Sequence, residues 1–286
     1  MLFKTRKKRK LFCELSPITY KISCEKEILK RKIQDRRNKV KFVSEKQEEK
    51  LEYSIIKHNS LIRRKLNNVD INLQENKAVS LSIAAPKINN IIIKPGQTFS
   101  FWELVGRCTK KKGYLEGVTI TGAIPTKGIG GGMCQFTNLL HWMVLHTNLD
   151  IIEHHHHNHI DLFPDFNRKI PFGTGTSIVY NYLDYRFKNN TDTTFQIIVY
   201  TTDEYLKGEI RADKQLPIKI HIVEEESFYY EKQNELYRHN KIYRKVIDKR
   251  TGNTIENKMI LENNAKTMYS KEFIDQGKIK KNYIEL

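Results

Sequence analysis

Apolar positions recur most regularly between Met133 and Asp150. In "MCQFTNLLHWMVLHTNLD", Phe136, Leu139, Leu140, Met143, Val144 and Thr147 fall three or four residues apart, which predicts an amphipathic helix with its N-terminus at Cys134. Cys134, Asn138, His141 and Leu145 share the opposite face. Two further helices are predicted nearer the start. Ser16-Pro17 makes an N-cap and first-turn pair for a densely charged helix reaching about Arg37. Leu51, Ile55, Leu61, Ile62 and Leu66 approximate a 3.6-residue period, which predicts a second helix from about Val43 to Leu66. The stretch "NKAVSLSIAAPKI" reads as a short apolar helix or strand with Pro86 near its end.

After that point the pattern turns to period two. "IIIKPGQTFSFWELVG" reads as a β-branched run, a Pro-Gly turn and an aromatic-rich strand. "GYLEGVTITGAIPTKGIGGG" is extended chain punctuated by glycine. "TSIVYNYLDYRFKN" and "TFQIIVYTT" flank Asn189-Asn190-Thr191-Asp192, which suits a hairpin turn; "LKGEIRA" and "IKIHIVEE" continue the strands. A further hairpin is predicted around Thr251-Gly252-Asn253. The fold class is α+β, with N-terminal helices, a central cysteine-bearing helix and a mainly antiparallel β-sheet in the second half. The expected division is a basic, largely helical segment over 1–68 and an α+β domain over 69–286.

Charge sharpens that division. Residues 1–65 carry 21 Lys and Arg against 8 Asp and Glu, whereas residues 66–286 carry 29 against 25. A cationic arm of this kind suits an anionic membrane surface or an acidic partner, or it is a solvated tail; no specific nucleic acid is predicted. Only Leu11, Phe12 and Cys13 follow the basic start before Glu14, so no secretory signal is expected. No apolar run approaches the roughly 18 residues of a transmembrane helix. A cytoplasmic, at most membrane-peripheral, protein is therefore expected. Cys13, Cys24, Cys108 and Cys134 lack C-x-x-C spacing and read as thiols.

Candidate chemistry centres on "GIGGGMCQ". Cysteine reacts as thiolate, and a helix N-terminus favours that form. Gly131 and Gly132 are placed to offer N–H groups to an oxyanion. A base is supplied by "EHHHHNHIDLFPD": in an extended segment His155, His157 and His159 share one face, and His154 and His156 the other. Glu153 or Asp161 would orient the imidazole. His141 lies seven residues past Cys134, about 10 Å along a helix, too far for a direct hydrogen bond. Two other readings stand beside this one: a metal held by histidines and Cys134, and an inert buried cysteine after a tight turn.

"GGGMCQFTNLLHWMVLHTNLDIIE", "DLFPDFNRKIPFGTGTSIVYNYLDYRFKNNTD" and "PGQTFSFWELVG" closely resemble the VanW family, named from glycopeptide-resistance gene clusters. The likeness runs from about Asn76 to Tyr269. It implies a cell-envelope or peptidoglycan-precursor context and a ligand of that kind, but no established reaction and no cofactor. The motif positions are Gly130, Gly131, Gly132, Cys134 and Gln135, the segment from Glu153 to Asp161, and Gly173, Gly175, Asn181, Tyr182 and Asp184. The histidine run is denser here than the family pattern. Together these observations imply an envelope-associated protein with a Cys–His site for amide or acyl transfer; the alternative is a non-catalytic anion- or metal-binding module, or a scaffold docking on the membrane surface.

Overall fold

A computed structural model describes residues 10–63, 71–121, 124–156, 160–161, 164–165, 170–180 and 182–280. The first half holds α1 (Pro17–Arg37), β1 (Tyr53–Leu61), α2 (Ile71–Ile88), β2 (Ile91–Ile93), β3 (Thr98–Ser100), α3 (Phe101–Val105), β4 (Glu116–Thr121), β5 (Ile124–Ile129) and α4 (Met133–Val144). Strands follow: β6 (Asp150–Glu153), β7 (Ile160–Asp161), β8 (Arg186–Lys188), β9 (Phe195–Thr201) and β10 (Tyr205–Ala212). The chain closes with β11 (Ile218–Lys232), β12 (Glu235–Asp248), β13 (Thr254–Thr267) and β14 (Ile279–Lys280). The class is α+β, as the sequence predicts.

Among the described residues the strands form a four-stranded sheet β1-β10-β9-β2, a five-stranded sheet β14-β11-β12-β13-β7, a three-stranded sheet β3-β8-β6 and the β4-β5 hairpin. Helix α4 lies across the first of these. Its apolar side is fully buried, with Phe136, Leu139, Leu140, Met143 and Val144 all in the main core. The opposite side is covered too: His141 and Leu145 are buried and Cys134 packs against the core from its edge. The sequence supports this closeness at Gly208 of β10. A Cβ there would stand 2.6 Å from Met143 Cε and 2.8 Å from Leu139 Cδ2, so a side chain at 208 would force both to shift.

Three expectations are corrected. The helix predicted over 43–66 is instead mostly extended chain and β1, paired antiparallel with β10 from Tyr53↔Ala212 to Leu61↔Tyr205. Five apolar residues at uneven spacing set no helical face, and pairing with β10 outweighs local preference. Val43 and Ile62, at either end of this stretch, join the main core. The aromatic run after Ser100 turns helical as α3, because Ser100 Oγ accepts from the Glu103 N–H at 3.1 Å and caps it. The strands flanking 189–192 do not form a hairpin: β8 pairs with β3 and β6, whereas β9 pairs with β10 and β2.

Asn189 explains that divergence. Its buried amide donates to Ile93 O at 2.9 Å and Thr193 O at 2.7 Å, and accepts from the Thr191 hydroxyl at 2.7 Å. Its backbone exchanges bonds with Gly96 and Gln97, in the turn between β2 and β3. Two crossings from sheet to sheet therefore meet at one residue. The hairpin around Gly252 joins β12 to β13 as predicted, with Gly252 at φ +74° and Asp248 Oδ1 accepting from the N–H groups of Arg250 and Thr251.

Helix α1 begins where Ser16-Pro17 predicts, but buries no residue. It is held by side chains: Arg31 pairs with Glu153, Asp35 takes Arg186 through two bonds of 2.7 and 2.9 Å, and Glu25 pairs with Arg107.

Gly131→Ala tests how tightly the hairpin and α4 are joined. Its Cβ would fall 2.5 Å from Gly117 Cα, backbone against backbone, so a loss of about 2–4 kcal/mol is expected in urea unfolding. Gly252→Ala, which meets nothing within 4 Å, is expected to cost only about 1 kcal/mol, for its positive φ.

Candidate functional site

The glycines before Cys134 are consumed by packing. Gly130 sits at φ +84° with its N–H donating to Leu115 O at 3.0 Å, and a Cβ would meet Cys108 Cβ at 2.5 Å. Gly131 rests on Gly117 of β4, and Gly132, at φ +97°, is the N-cap of α4 beside Lys77. The next residue but two, Gln135, donates from Nε2 to Ser60 Oγ at 2.9 Å and Leu61 O at 2.8 Å, pinning α4 to β1.

Cys134 does occupy the first turn of α4, where the sequence puts it. Burial nevertheless pushes its thiol pKa up, against the opposing pull of the N–H groups of Ile178 and of Cys134 itself. Desolvation disfavours the thiolate more than the helix terminus favours it. Segment 174–178 straps this end of the helix. Thr176 donates from N and Oγ1 to Asn138 Oδ1 at 2.6 and 2.8 Å, and its hydroxyl also meets that of Thr137.

The histidines divide by alternation, with an unexpected partner. His154 stacks on His141, ring centroids 4.1 Å apart and 13° between planes, and His156 lies 5.8 Å beyond His154. His141 Nδ1 stands 3.2 Å from the Tyr185 hydroxyl, and His154 Nε2 2.9 Å from Gly175 O. Burial, then the neighbouring imidazoles, holds His141 well below the usual histidine range; burial lowers His154 as well, partly offset by Gly175 O. Both rings are neutral near pH 7. His155 points the other way, its Nε2 3.1 Å from Glu153 Oε1. His157, His159 and Asn181 lie outside the described residues.

The two candidate orienting carboxylates have other ties. Glu153 accepts from the Asp184 N–H at 2.7 Å and pairs with Arg31 and, at 3.6 Å, Arg186. Asp184 itself accepts from Ser100 Oγ at 2.5 Å, Trp102 N at 3.1 Å and Arg186 Nε at 2.8 Å. Asp161 is buried at the start of the five-stranded sheet, accepting from Tyr269 OH at 2.7 Å and facing Arg238 at 3.4 Å. Of the other motif positions, Tyr182 offers its carbonyl to Arg31 at 2.9 Å, Gly173 at φ +88° packs against Asn263, and Gly175 passes beside Asn138. Among the described residues no group of three or more His, Cys, Asp or Glu is arranged to hold a metal ion.

What the structure brings together instead is a cleft. The His141–His154 pair stands at one wall of a cleft of about 730 Å³ between the C-terminal end of α4 with β6 and the β12-β13 hairpin. The other wall combines Val246, Leu261 and Ile218 with Arg244, Lys258 and Glu256. Arg244 is fixed by Thr147 O at 3.0 Å and by Glu256 at 3.3 Å. The volume is that of a small-ligand site, typically about 300–1,000 Å³. In the sequence His141 reads only as a distant neighbour of Cys134, which hides the cleft. The available signal was its helical spacing from Leu145, which also lines the cleft.

Comparison with known proteins bears on the same residues. Residues 76–211 match the family model described as VanW like protein. The chain is 37% identical over 200 residues to the Vancomycin B-type resistance protein VanW of Enterococcus faecalis, covering 70% of this chain and 72% of that one. The chain belongs to the VanW family. It is also 29% identical over 118 residues to the uncharacterized protein YoaR of Bacillus subtilis, covering 40% of this chain and 36% of that relative. No solved structure is a significant match. The family stretch thus supplies α4, β6 and the histidine pair, while the facing hairpin β12-β13 follows it.

Two outcomes are expected of this VanW-family site. Alkylation of Cys134 by a thiol probe should be slow at pH 7, with a midpoint above the ordinary cysteine value of about 8.5. Because His141 and His154 are depressed in the folded state, their contribution to stability is complete above the unfolded value of about 6.5 and is lost as pH falls through the lower folded values. Urea midpoints should therefore drop as pH falls from about 6.5 towards 5, and His141→Gln should flatten that drop.

Proposed function

We propose that this VanW-family protein acts in a cell-envelope, glycopeptide-resistance context by binding a peptidoglycan-precursor-like peptide in the cleft beside His141 and His154. The observation that carries the reading is the cleft itself. It combines the stacked His141–His154 pair, the cations Arg244 and Lys258 beside Glu256 and Asp150, and aliphatic walls for small side chains. The resistance protein named among its relatives supports the context. No cofactor enters this reading.

A Cys–His transfer reaction is the competing reading, favoured by the position of Cys134 at a helix start. The raised thiol and the structural use of Gly130, Gly131 and Gln135 weigh towards binding without covalent chemistry.

Calorimetric titration with a stem pentapeptide tests the proposal. Binding is expected, weakened about tenfold or more by Arg244→Ala or His154→Ala, each tenfold being about 1.4 kcal/mol. Cys134→Ser should leave it unchanged. No binding by the wild-type chain, or equal binding by the folded Arg244→Ala variant, sinks the reading; peptide turnover lost in Cys134→Ser would reinstate the transfer reaction.

A further inference from the structure

The face that α1 turns away from the body carries apolar side chains where a surface helix ordinarily carries none. Ile18, Ile22, Leu29 and Ile33 are 71%, 53%, 59% and 44% exposed. At about 100° per residue they fall within about 60° of arc, forming one continuous stripe. Leu11 and Phe12, 63% and 55% exposed, extend the apolar surface beyond the helix start. The main docking side of the helix is a different one: Arg31 and Asp35 reach the body through Glu153 and Arg186, while Glu25, at the edge of the stripe, pairs with Arg107. Lys21 and Lys32 border the stripe on one flank, Lys26 and Lys30 on the other, and all four are exposed. Among the described residues no helix is long and apolar enough to cross a membrane.

We propose that the outward stripe of α1 docks on the interface of an anionic lipid bilayer, with the helix lying in the membrane plane. An apolar stripe edged by lysines matches that environment: aliphatic side chains enter the acyl boundary while the ammonium groups stay among headgroup phosphates. Charge selects this occupant over a second copy of the chain. Two such faces brought together would set lysine against lysine on both flanks, whereas an anionic surface neutralises them. The strongly basic residues 4–10, "KTRKKRK", add attraction of the same sign immediately before the helix. A nucleic acid would use the cations but leave the aliphatic stripe in water. The ionic contacts beneath the helix keep the body tethered to it, so the cleft is carried to the membrane surface. The docking does not depend on what the cleft binds.

Co-sedimentation of the full chain with vesicles tests the proposal. Strong association is expected with equal parts phosphatidylglycerol and phosphatidylcholine, and little with phosphatidylcholine alone. The double variant Ile22→Ser/Leu29→Ser should lower partitioning about tenfold or more even at low salt, since it removes two exposed aliphatic groups that the membrane would bury. Lys21→Glu/Lys32→Glu should weaken association with the anionic vesicles alone. Circular dichroism should show both variants folded, because none of these side chains supports the core. A wild-type chain left in the supernatant with both vesicles overturns the proposal, as does a serine variant that sediments like wild type. A dimer in solution that the serine substitutions dissolve assigns the stripe to self-association and overturns it as well.

Discussion

Helix α4 packs its side chains directly onto β10 where the strand gives up a side chain, at Gly208. The approach lets Leu139 and Met143 fill space that a Cβ would otherwise take, and puts the apolar face of α4 inside the core. Everything beside it inherits a fixed position. The β4-β5 hairpin is set by the Gly131–Gly117 contact at one end of the helix, and the cleft opens at the other. Close packing of this kind transmits any change in volume, because the interior has little free space to absorb it.

The consequence for the cysteine is direct. A helix start stabilises a thiolate only if water or a cation can share the charge, and the packing that fixes α4 also buries the sulfur. Two effects of opposite sign meet at one atom, and desolvation wins. The same packing turns His141 inward against Tyr185 and His154, so the imidazole dismissed for being too far from the sulfur becomes the better-built feature. The chemistry of this end of the helix is therefore that of neutral rings and backbone groups. Burial opposes the imidazolium, which makes these rings poor acceptors of a thiol proton.

Much of the frame was legible because short-range chemistry decides it. Ser16-Pro17 caps and opens α1 through its own side chain and ring, and the apolar repeat of α4 is buried as its spacing implies. Apart from α3, which Ser100 caps locally, the failures are long-range. Nothing between Val43 and Leu66 announces that its partner is β10, some 150 residues away, and Ile55 and Ile56 fit a strand as well as a helix. Asn189 carries the residue type of a hairpin turn but uses its amide to join separate sheets. At the site, the glycine-cysteine motif was visible, whereas the purpose of its glycines depended on Gly117 and Cys108, neither adjacent in sequence. Within the described part of the histidine run His154 and His156 take one side and His155 the other, as alternation implies, whereas nothing local marks His141 as their partner.

Beneath α1, Arg31, Asp35, Arg186, Asp184 and Glu153 form a connected set of alternating charge. Such a set contributes orientation more than stability, since removing ions from water offsets much of their attraction. The buried joint at Asn189 works differently. All of its side chain's polar capacity is spent in the interior, on the Ile93 carbonyl of β2 and on Thr191 and Thr193 of its own turn. Sliding one sheet past the other would strand several of these groups without water to replace them. The molecule therefore has a rivet rather than a hinge where its sheets cross.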